Sequence, residues 1–526
     1  MQRTMGLLFG ALFLGAAFFH QPREYDNTTS RYMLLSAMVD EGRFTIDSTQ
    51  QDTVDKSVWR GHYYSNKAIG LPFLAAPVYW VLRRSGAVAR VLDDPAADYF
   101  VRLAVVTLPF ALTGLLLFQF ALSLGAEPRG AAWATIAFAF GTIAFNHAVL
   151  FSGHDTAAFF LFLSFVVLYQ AGRKEASRGA RSTALSLIGG LCAGLAVLCD
   201  HIAVFAAVVL AWYAFSSVLK WRAKLAFAAG AAACAAVLAW YDLSCFGSVW
   251  SLAYAHNDFV EFNRGASAGI FGIALPRASA AVALLFSVSR GLFFISPVLI
   301  FSIAGFSALG KTARSKRELA VLALVPAAIF IANAGFYGWD GGWTFGPRYL
   351  APALPFLCAP LALAADGGVL FALTLALSVL QVACAQIGWP HVAPVCANPL
   401  VEMILPLMKE GGVSLTLLGG ARPGLLWPGL AQYALIIAAC AGALWSLPSS
   451  RPARAGVRWN ALAGVWSLWI VLALAFTRTN DQSLVHFHRA ILLNDAAWVL
   501  GGTDLAGKAN AEFALAGRPR DRQSAR

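Results

Sequence analysis

Charged residues are scarce in this sequence, and their scarcity excludes an ordinary soluble protein. Only 13% of the 526 residues are charged, whereas soluble domains contain about 25%. The signatures of several enzyme classes are also missing. The eight cysteines form no Cys-x-x-Cys spacing, and the chain contains neither a P-loop nor a dinucleotide-binding fingerprint. The sequence therefore gives no reason to expect thiol-based or nucleotide-based chemistry.

Hydrophobic residues are abundant instead, at 59% of the chain with a mean hydropathy of +0.65. Apolar runs of about 18 to 25 residues recur, as helices that cross a hydrocarbon layer of about 30 Å require. This pattern predicts an all-α polytopic membrane protein. We expect about 13 spans, near 4–20, 101–124, 130–150, 155–171, 183–199, 202–219, 225–243, 291–309, 319–336, 348–365, 368–387, 431–447 and 459–476. The stretch 278–290 either extends the eighth span or forms a separate surface helix.

The net charge of +12 is distributed in a way that indicates membrane topology rather than nucleic-acid binding. Basic residues concentrate in alternate short loops, whereas the turns between them lack Lys and Arg. This is the asymmetry expected when the basic loops are cytoplasmic. The first span then starts inside, and the tail after the last span ends outside. The basic loops are RKEASRGARS (173–182), KWRAK (220–224), KTARSKR (311–317) and SSRPARAGVR (449–458).

This topology divides the chain into a transmembrane domain (1–476) and an extracytoplasmic tail (477–526). It also predicts which polar residues share a membrane face. The extracytoplasmic parts are 21–100, 244–290, 337–347 and 388–430, together with the turns at 151–155 and 200–201. In or beside these parts lie Asp26, Lys67, His154, Asp155, Asp200, His201, Asp340, Arg348 and His391. Cys245 and Cys396 also fall there, so a disulfide between them remains open.

The first extracytoplasmic segment contains two stretches that suit helices lying on the membrane. Thr28 and Thr29 are good helix caps, and they predict a short helix over roughly 30–41. The stretch 65–84 is apolar but is interrupted by prolines, and making it span would invert every later loop. We therefore expect it to lie in the interface, with Tyr79 and Trp80 at the level of the lipid headgroups.

Several motifs in this order resemble the GT-C glycosyltransferases, and more narrowly the branch of protein O-mannosyltransferases and lipid A aminoarabinose transferases. The resemblance covers most of residues 1–365 and fades afterwards. An acid in a D-x-x-x-x-R-Y setting follows the first span, and the second span opens with FVRL. The other motifs are YYSNKAIGLPFL (63–74), SGHDTAAF (152–159), SRGLFFISP (289–297) and GPRYLAPALP (346–355).

The resemblance implies an enzyme that transfers a sugar from a polyprenyl phosphate to an acceptor at the outer face, with inversion. The acceptor hydroxyl must lose its proton as it attacks, so a carboxylate is needed as general base. The donor's lipid tail stays in the bilayer, so this base must lie just above the lipid. Asp26 follows the first span and is the predicted base. Glu24 is a competitor, and a helix-capping role for Asp26 is the alternative.

The phosphate of such a donor requires cations, and the motifs supply several. Lys67 and Arg348 match the basic positions of the family, and Tyr349 is a candidate for a hydroxyl contact. Arg102 and Arg290 are further candidates for phosphate binding. The alternative for each cation is an interfacial side chain that reaches the lipid phosphates, and for Tyr349 it is a place in the aromatic belt.

A second acid and a sugar-binding loop complete the candidate site. Asp155 opens an apolar span, where an ionisable group is costly, so we expect a catalytic role; stabilisation of a helix N-terminus is the alternative. His154 is a candidate for substrate binding. No metal ligand set is evident, and dependence on a divalent cation stays open. The loop 335–349 offers Trp339, Asp340 and Trp343 as sugar or acceptor contacts, although an interfacial aromatic belt explains these residues equally well.

The resemblance places the protein in a bacterial cytoplasmic membrane, with its site on the periplasmic side and the bilayer, a polyprenyl-phosphate sugar and an extracytoplasmic acceptor as partners. Glycan, lipid and protein hydroxyls are all open as acceptors, as is the sugar. The alternative function is a secondary transporter or flippase of lipid-linked sugars. Transporters usually place ionisable groups near the bilayer midplane, whereas here such groups concentrate at one face. A non-catalytic scaffold is a third possibility.

Overall fold

The computed structural model describes residues 1–21, 26–173, 179–217, 219–312, 316–365, 368–418, 425–448, 457–477, 482–500 and 503–516. The first half of the chain forms α1 (Gln2–Ala17), α2 (Asp26–Asp40), α3 (Gly70–Arg84), α4 (Pro95–Arg102), α5 (Leu108–Ser123), α6 (Pro128–Phe140), α7 (Ala144–His147), α8 (Gly153–Ala171), α9 (Ala180–Cys199), α10 (Ala203–Ser216), α11 (Trp221–Phe246) and α12 (Val260–Ala266). Glu24 and parts of three predicted basic loops (174–178, 313–315 and 449–456) lie outside the described residues.

The second half is also helical, and the described strands are very short. It forms α13 (Ala278–Phe286), α14 (Leu292–Ile295), α15 (Ile300–Thr312), α16 (Lys316–Gly335), α17 (Leu354–Leu361), α18 (Val369–Ile387), α19 (Leu405–Lys409), α20 (Trp427–Trp445), α21 (Val457–Phe476), α22 (Gln482–Leu500) and α23 (Thr503–Leu515). The strands are β1 (Phe19–His20), β2 (Lys56–Trp59), β3 (His62–Ser65) and β4 (Leu415–Thr416). The predicted all-α polytopic class is confirmed.

Within the described residues, eight helices are long and apolar enough to cross a bilayer, so the chain is a multi-pass membrane protein. They are Pro95–Ser123, Gly153–Ala171, Ala180–Cys199, Trp221–Phe246, Lys316–Gly335, Val369–Ile387, Trp427–Trp445 and Arg458–Phe476. The other five predicted spans coincide with shorter or interrupted helices. For example, α1 has 16 residues, and the run 348–365 divides into a 3₁₀ turn at Arg348–Ala353 followed by α17. The count of 13 therefore stays a prediction.

The segments predicted to be extracytoplasmic contact one another and form one connected layer, which we call the loop layer. The β2–β3 hairpin lies in this layer, and β1 pairs with β4, which joins the end of the first span to the segment after α19. Further backbone contacts join the remaining segments: Ser57 bridges Asn257, Ile273 bridges Phe336, and the Thr344 amide donates to the Val392 carbonyl (3.0 Å). Residues distant in sequence therefore meet in this layer.

The first segment of the loop layer differs from the prediction in two details. Helix α2 begins at Asp26, four residues before the predicted start, and its acidic first residue suits the positive end of the helix dipole. In α3, Trp80 is half exposed as expected, but Tyr79 is fully buried and donates to Asp40 (2.8 Å). The prediction of Tyr79 at headgroup level is wrong because α3 packs on α2 through this side chain.

Two further expectations are resolved by the structure. Cys245 and Cys396 are both free thiols, so the disulfide that the sequence left open is not formed. The stretch 278–290 forms a separate short helix, α13, rather than an extension of the following span.

The tail is also helical in its described part, where α22 and α23 pack together and His486 pairs with Glu512 (2.7 Å).

Close packing between α9 and α11 depends on glycines that face each other across the two helices. A Cβ added to Gly190 would overlap the carbonyl oxygen of Phe227, and one added to Gly230 would overlap that of Leu187. Such small residues let helix backbones approach each other in a membrane, where dispersion contacts replace the hydrophobic effect as the source of association. Asp200 follows directly after α9, so this contact also fixes part of the site described below.

Replacing Gly190 by Ala should separate α9 from α11 and destabilise the protein by about 1–3 kcal/mol, the usual cost of overpacking. The thermal unfolding midpoint in detergent would measure the effect. Gly6→Ala is the matched control, because a Cβ at Gly6 in α1 meets no atom within 4 Å. An unchanged midpoint for Gly190→Ala would mean that the two helices are not packed as described.

Candidate active site

Asp26 occupies the first position of α2, at the solvent-exposed edge of the loop layer. One carboxylate oxygen accepts from the Val54 amide (2.8 Å), and the Thr53 hydroxyl donates to the Asp26 backbone carbonyl (3.2 Å). Partial removal from water and the nearby charge of Asp55 together raise the pKa of Asp26 above its ordinary value. Asp26 is thus a fixed carboxylate with increased basicity.

Lys67 and Asp55 form a nearly buried ion pair behind Asp26. The Lys67 ammonium lies 2.8 Å from an Asp55 carboxylate oxygen, and the two side chains are 11% and 8% exposed. The Ser30 hydroxyl fixes the strand beside them to α2, since it donates to the Asp55 carbonyl (2.6 Å) and meets the Ser65 hydroxyl (2.7 Å). Burial and the charges of two arginines lower the pKa of Lys67, and Asp55 partly offsets that effect.

Those two arginines are Arg31 and Arg348, and with Lys67 they form a group that we call the cation cluster. Arg31 is buried and donates to the Asn27 side chain (3.0 Å), while its Nε has no hydrogen-bond partner among the described residues. Arg348 donates to the Tyr349 hydroxyl (3.1 Å) and lies 5.0 Å from the centre of that ring. Three positive charges are therefore held near one another within the protein.

Two buried carboxylates, Asp55 and Asp200, partly balance the cation cluster. Arg31 interacts electrostatically with both of them, and burial together with the charge of Arg348 nevertheless lowers the pKa of Arg31. For Arg348, burial would lower the pKa, but Tyr349, Asp55 and Asp340 raise it above the ordinary value. Together with the half-buried Asp340, these carboxylates roughly balance the three cations, while the N–H donors of the cations still converge on one place and suit an anion.

His154 lies beside the cation cluster and is paired with Asp200. The sequence analysis did not predict this pairing. Its Nδ1 is 2.7 Å from the Asp200 carboxylate, and both side chains are buried. The His154 ring contacts the rings of His147 (5.3 Å between centroids) and Tyr349 (5.6 Å). Burial would raise the pKa of Asp200, but His154, His201 and Arg31 lower it below its usual range.

Asp155 is separated from these interactions although it follows His154 in sequence. It is 2% exposed, and neither carboxylate oxygen has a hydrogen-bond partner among the described residues. Its catalytic role remains a prediction. The described residues also contain no group of three or more His, Cys, Asp or Glu side chains that could hold a metal ion.

Arg102 and Arg290, the other predicted phosphate ligands, both donate to backbone carbonyls. Arg102 is fully buried and donates to Phe19 (2.9 Å) and to the Thr107 hydroxyl (3.1 Å), which joins the second span to β1. Arg290 donates to the carbonyls of Gly342 (2.8 Å) and Thr344, and its charge interacts with that of Arg348. These contacts show that both arginines stabilise the surrounding backbone. Phosphate binding by either arginine stays a prediction.

The loop that Arg290 supports carries the three predicted sugar contacts. Asp340 accepts from the Gly342 amide (3.1 Å), and its charge interacts with that of Arg348. Trp339 and Trp343 are half-buried. Trp343 joins this loop to the tail helix α22, because its ring centroid is 5.5 Å from that of His488 and 5.9 Å from that of Phe487. The structure thus brings Asp340 close to the cation cluster.

Two members of the site were not predicted from sequence. Arg31 belongs to the D-x-x-x-x-R-Y motif, and this context was the available signal. Asp55 belongs to no motif, and only the β2–β3 hairpin brings it to Lys67.

Tyr254 interacts electrostatically with Arg31 and lines a cavity of about 410 Å³ together with Asn263 and Phe271.

Asp55→Asn should destabilise the protein, because it leaves the buried Lys67 ammonium without its counter-charge. Breaking a buried ion pair in this way costs about 3–5 kcal/mol. Asp504→Asn is the matched control, since its pair with Lys508 is exposed (80% and 60%) and is expected to contribute little. Equal unfolding midpoints for the two variants in detergent would contradict the buried pair.

No family model and no curated protein matches the sequence. Among solved structures, the chain is similar to ArnT from Cupriavidus metallidurans bound to undecaprenyl phosphate, with 13% identity and a TM-score of 0.43 over 98% of this chain and 77% of that one. It is also similar to the Archaeoglobus fulgidus oligosaccharyltransferase tethered with an acceptor peptide, with 16% identity and a TM-score of 0.43 over 97% and 58% of the two chains.

Proposed function

We propose that this protein is a membrane glycosyltransferase that moves a sugar from a polyprenyl-phosphate donor to a hydroxyl of an extracytoplasmic acceptor. The loop layer would face the periplasm of a bacterial cell, and the donor would be held with its lipid tail in the outer leaflet. The acceptor would be a glycan, a lipid or a protein.

The cation cluster is the observation that carries this proposal. Keeping the buried Arg31 close to Lys67 and Arg348, which are only partly exposed, is unfavourable unless anions compensate for it. Asp55, Asp200 and the half-buried Asp340 provide much of that compensation, but Asp200 is also paired with His154, and Nε of both Arg31 and Arg348 has no hydrogen-bond partner among the described residues. A phosphate supplies acceptor oxygens for these donors as well as negative charge, and arginines bind such oxygens through paired N–H donors. Since Arg348 lies in the 3₁₀ turn that leads directly into α17, the cluster adjoins a helix of the bundle, and a phosphate attached to a lipid suits it better than a freely diffusing one.

The proposed reaction uses Asp26 as the base. The acceptor oxygen attacks the anomeric carbon, its proton passes to the Asp26 carboxylate, and the bond from that carbon to the phosphate oxygen breaks with inversion. The electron pair stays on the phosphate, where the cation cluster stabilises the added charge. The raised pKa of Asp26 suits a general base, and its exposed position leaves room for an acceptor. Trp339, Asp340 and Trp343 would contact the sugar or the acceptor.

Asp26→Asn should lower turnover about 100-fold to 10,000-fold, the usual range for loss of a general base, and leave donor binding largely intact. The measurement is sugar transfer from labelled polyprenyl-phosphate sugars to an extract of the cell envelope. In the unchanged protein, turnover should fall as the pH drops through the pKa of Asp26. Because that pKa is raised, the fall should lie above pH 4, the approximate range of an ordinary carboxyl.

Undiminished transfer by Asp26→Asn would assign the base to another residue. A different result would favour the transporter or flippase: the folded protein transfers no sugar from any donor tested but moves the lipid-linked sugar across vesicle membranes.

Lys67→Ala and Arg348→Ala should each weaken binding of undecaprenyl phosphate by about 10-fold to 100-fold, because each removes a charged hydrogen-bond donor. Lys56→Ala is the matched control: Lys56 lies on the β2–β3 hairpin, directly after Asp55, but its ammonium donates to Gln50 (2.7 Å). Binding to protein in nanodiscs would be measured by displacement of a fluorescent analogue. If all three variants bind equally well, Lys67 and Arg348 do not hold the donor phosphate.

A further inference from the structure

His154 and Asp200 form a buried pair that the proposed reaction does not yet use. Asp200 holds Nδ1 of the imidazole at 2.7 Å, and its lowered pKa keeps it anionic, so it accepts a hydrogen bond from Nδ1–H. Nε2 is then the nitrogen of His154 that remains available to gain or lose a proton. An imidazole oriented in this way by a carboxylate is a common proton-handling arrangement.

The surroundings of His154 make its protonation sensitive to charge bound at the cation cluster. Asp200, from the turn after α9, favours the protonated ring. Arg348, from the 3₁₀ turn before α17, opposes it, because Arg348 donates to the Tyr349 hydroxyl (3.1 Å) and the Tyr349 ring contacts His154 at 5.6 Å. Arg31, from α2, interacts with the same Asp200 carboxylate and opposes it as well. Two further rings face it, His147 from α7 and Tyr349 beside Arg348. An anion that neutralises the two arginines would therefore remove much of the opposition and favour an imidazolium.

We propose that His154 takes up a proton when a lipid phosphate carrying two negative charges occupies the cation cluster. The inference rests on the proposed function. A sugar-linked polyprenyl phosphate carries one negative charge, whereas the polyprenyl phosphate left after transfer carries two. The electron pair of the broken bond remains on the phosphate, and the acceptor's proton goes to Asp26. The additional charge therefore stays beside Arg31 and Arg348 unless a further proton arrives. A proton from solution on Nε2 of His154 balances it.

His154 would act as a charge-balancing group for the product rather than as the base. This assigns different tasks to the two ends of the site. Asp26, at the exposed edge, accepts the proton of the incoming hydroxyl, and the buried His154–Asp200 pair adjusts to the charge of the phosphate. The pair would also distinguish product from donor, because only the doubly charged phosphate induces the uptake.

Isothermal titration calorimetry of the full chain in detergent tests this directly. Farnesyl phosphate is the probe, at pH 7.5, in two buffers that differ in ionisation enthalpy, since the difference in measured heat gives the number of protons taken up. The unchanged protein should take up about one proton for each ligand bound, and His154→Gln should take up about none. The methyl ester of farnesyl phosphate carries one negative charge, so it should bind without uptake. Binding of this methyl ester to a variant also shows that the variant is folded.

Two further variants sharpen the assignment. His201→Gln is the matched control, because His201 neighbours Asp200 and Arg31 but should not hold the proton, so uptake should be unchanged. Asp200→Asn removes the charge that stabilises the imidazolium, and uptake should then appear only at lower pH. Equal uptake by the unchanged protein and His154→Gln, or loss of uptake in His201→Gln alone, would overturn the inference and leave the proposed function standing. Failure of farnesyl phosphate to bind the unchanged protein would overturn both.

Discussion

The mutual repulsion of Arg31, Lys67 and Arg348 is the constraint on which the rest of this site depends. One buried and two partly exposed cations can be held together only if the fold supplies counter-charges and holds the backbone rigidly. Asp55 contacts Lys67 directly, at 2.8 Å, and its charge also acts on Arg31 and Arg348. After burial, which is the larger cause, the same carboxylate also raises the pKa of Asp26. One acid therefore links the stability of the cluster to the basicity of the proposed catalytic residue.

The loop layer provides that rigidity through contacts that are distant in sequence. The β2–β3 hairpin brings Asp55 and Lys67 together, and Ser30 fixes this hairpin to α2. Arg290 holds the carbonyls of the loop that carries Asp340. The glycine contact between α9 and α11 fixes the turn at Asp200. A phosphate that enters this site meets cations already in position, so little free energy of binding is lost to ordering them.

Much of the candidate site could be predicted from the sequence, because its members belong to motifs with a recognisable order along the chain. Asp26, Lys67 and Arg348 were found in this way, and the structure brings them into one electrostatic group. Asp55 could not be found, since it meets Lys67 only through the turn of a hairpin. The pairing of His154 with Asp200 likewise requires two helix ends to meet, which no local pattern expresses.

The fold was predicted well at the level of class and less well in detail. Hydropathy identified each apolar run, but it does not register interruptions such as the 3₁₀ turn at Arg348–Ala353, so five of the predicted spans are short or broken. Tyr79 was placed wrongly because amphipathic character does not reveal which neighbour a ring packs against. Its partner, Asp40, comes from the preceding helix.

The most direct test of the central claim is an experimental structure of the full chain in nanodiscs with undecaprenyl phosphate bound. The account predicts density for the phosphate in contact with Arg31, Lys67 and Arg348, with the lipid chain running from there into the bilayer. Phosphate density elsewhere on the protein, with the cation cluster unchanged and unoccupied, would contradict it.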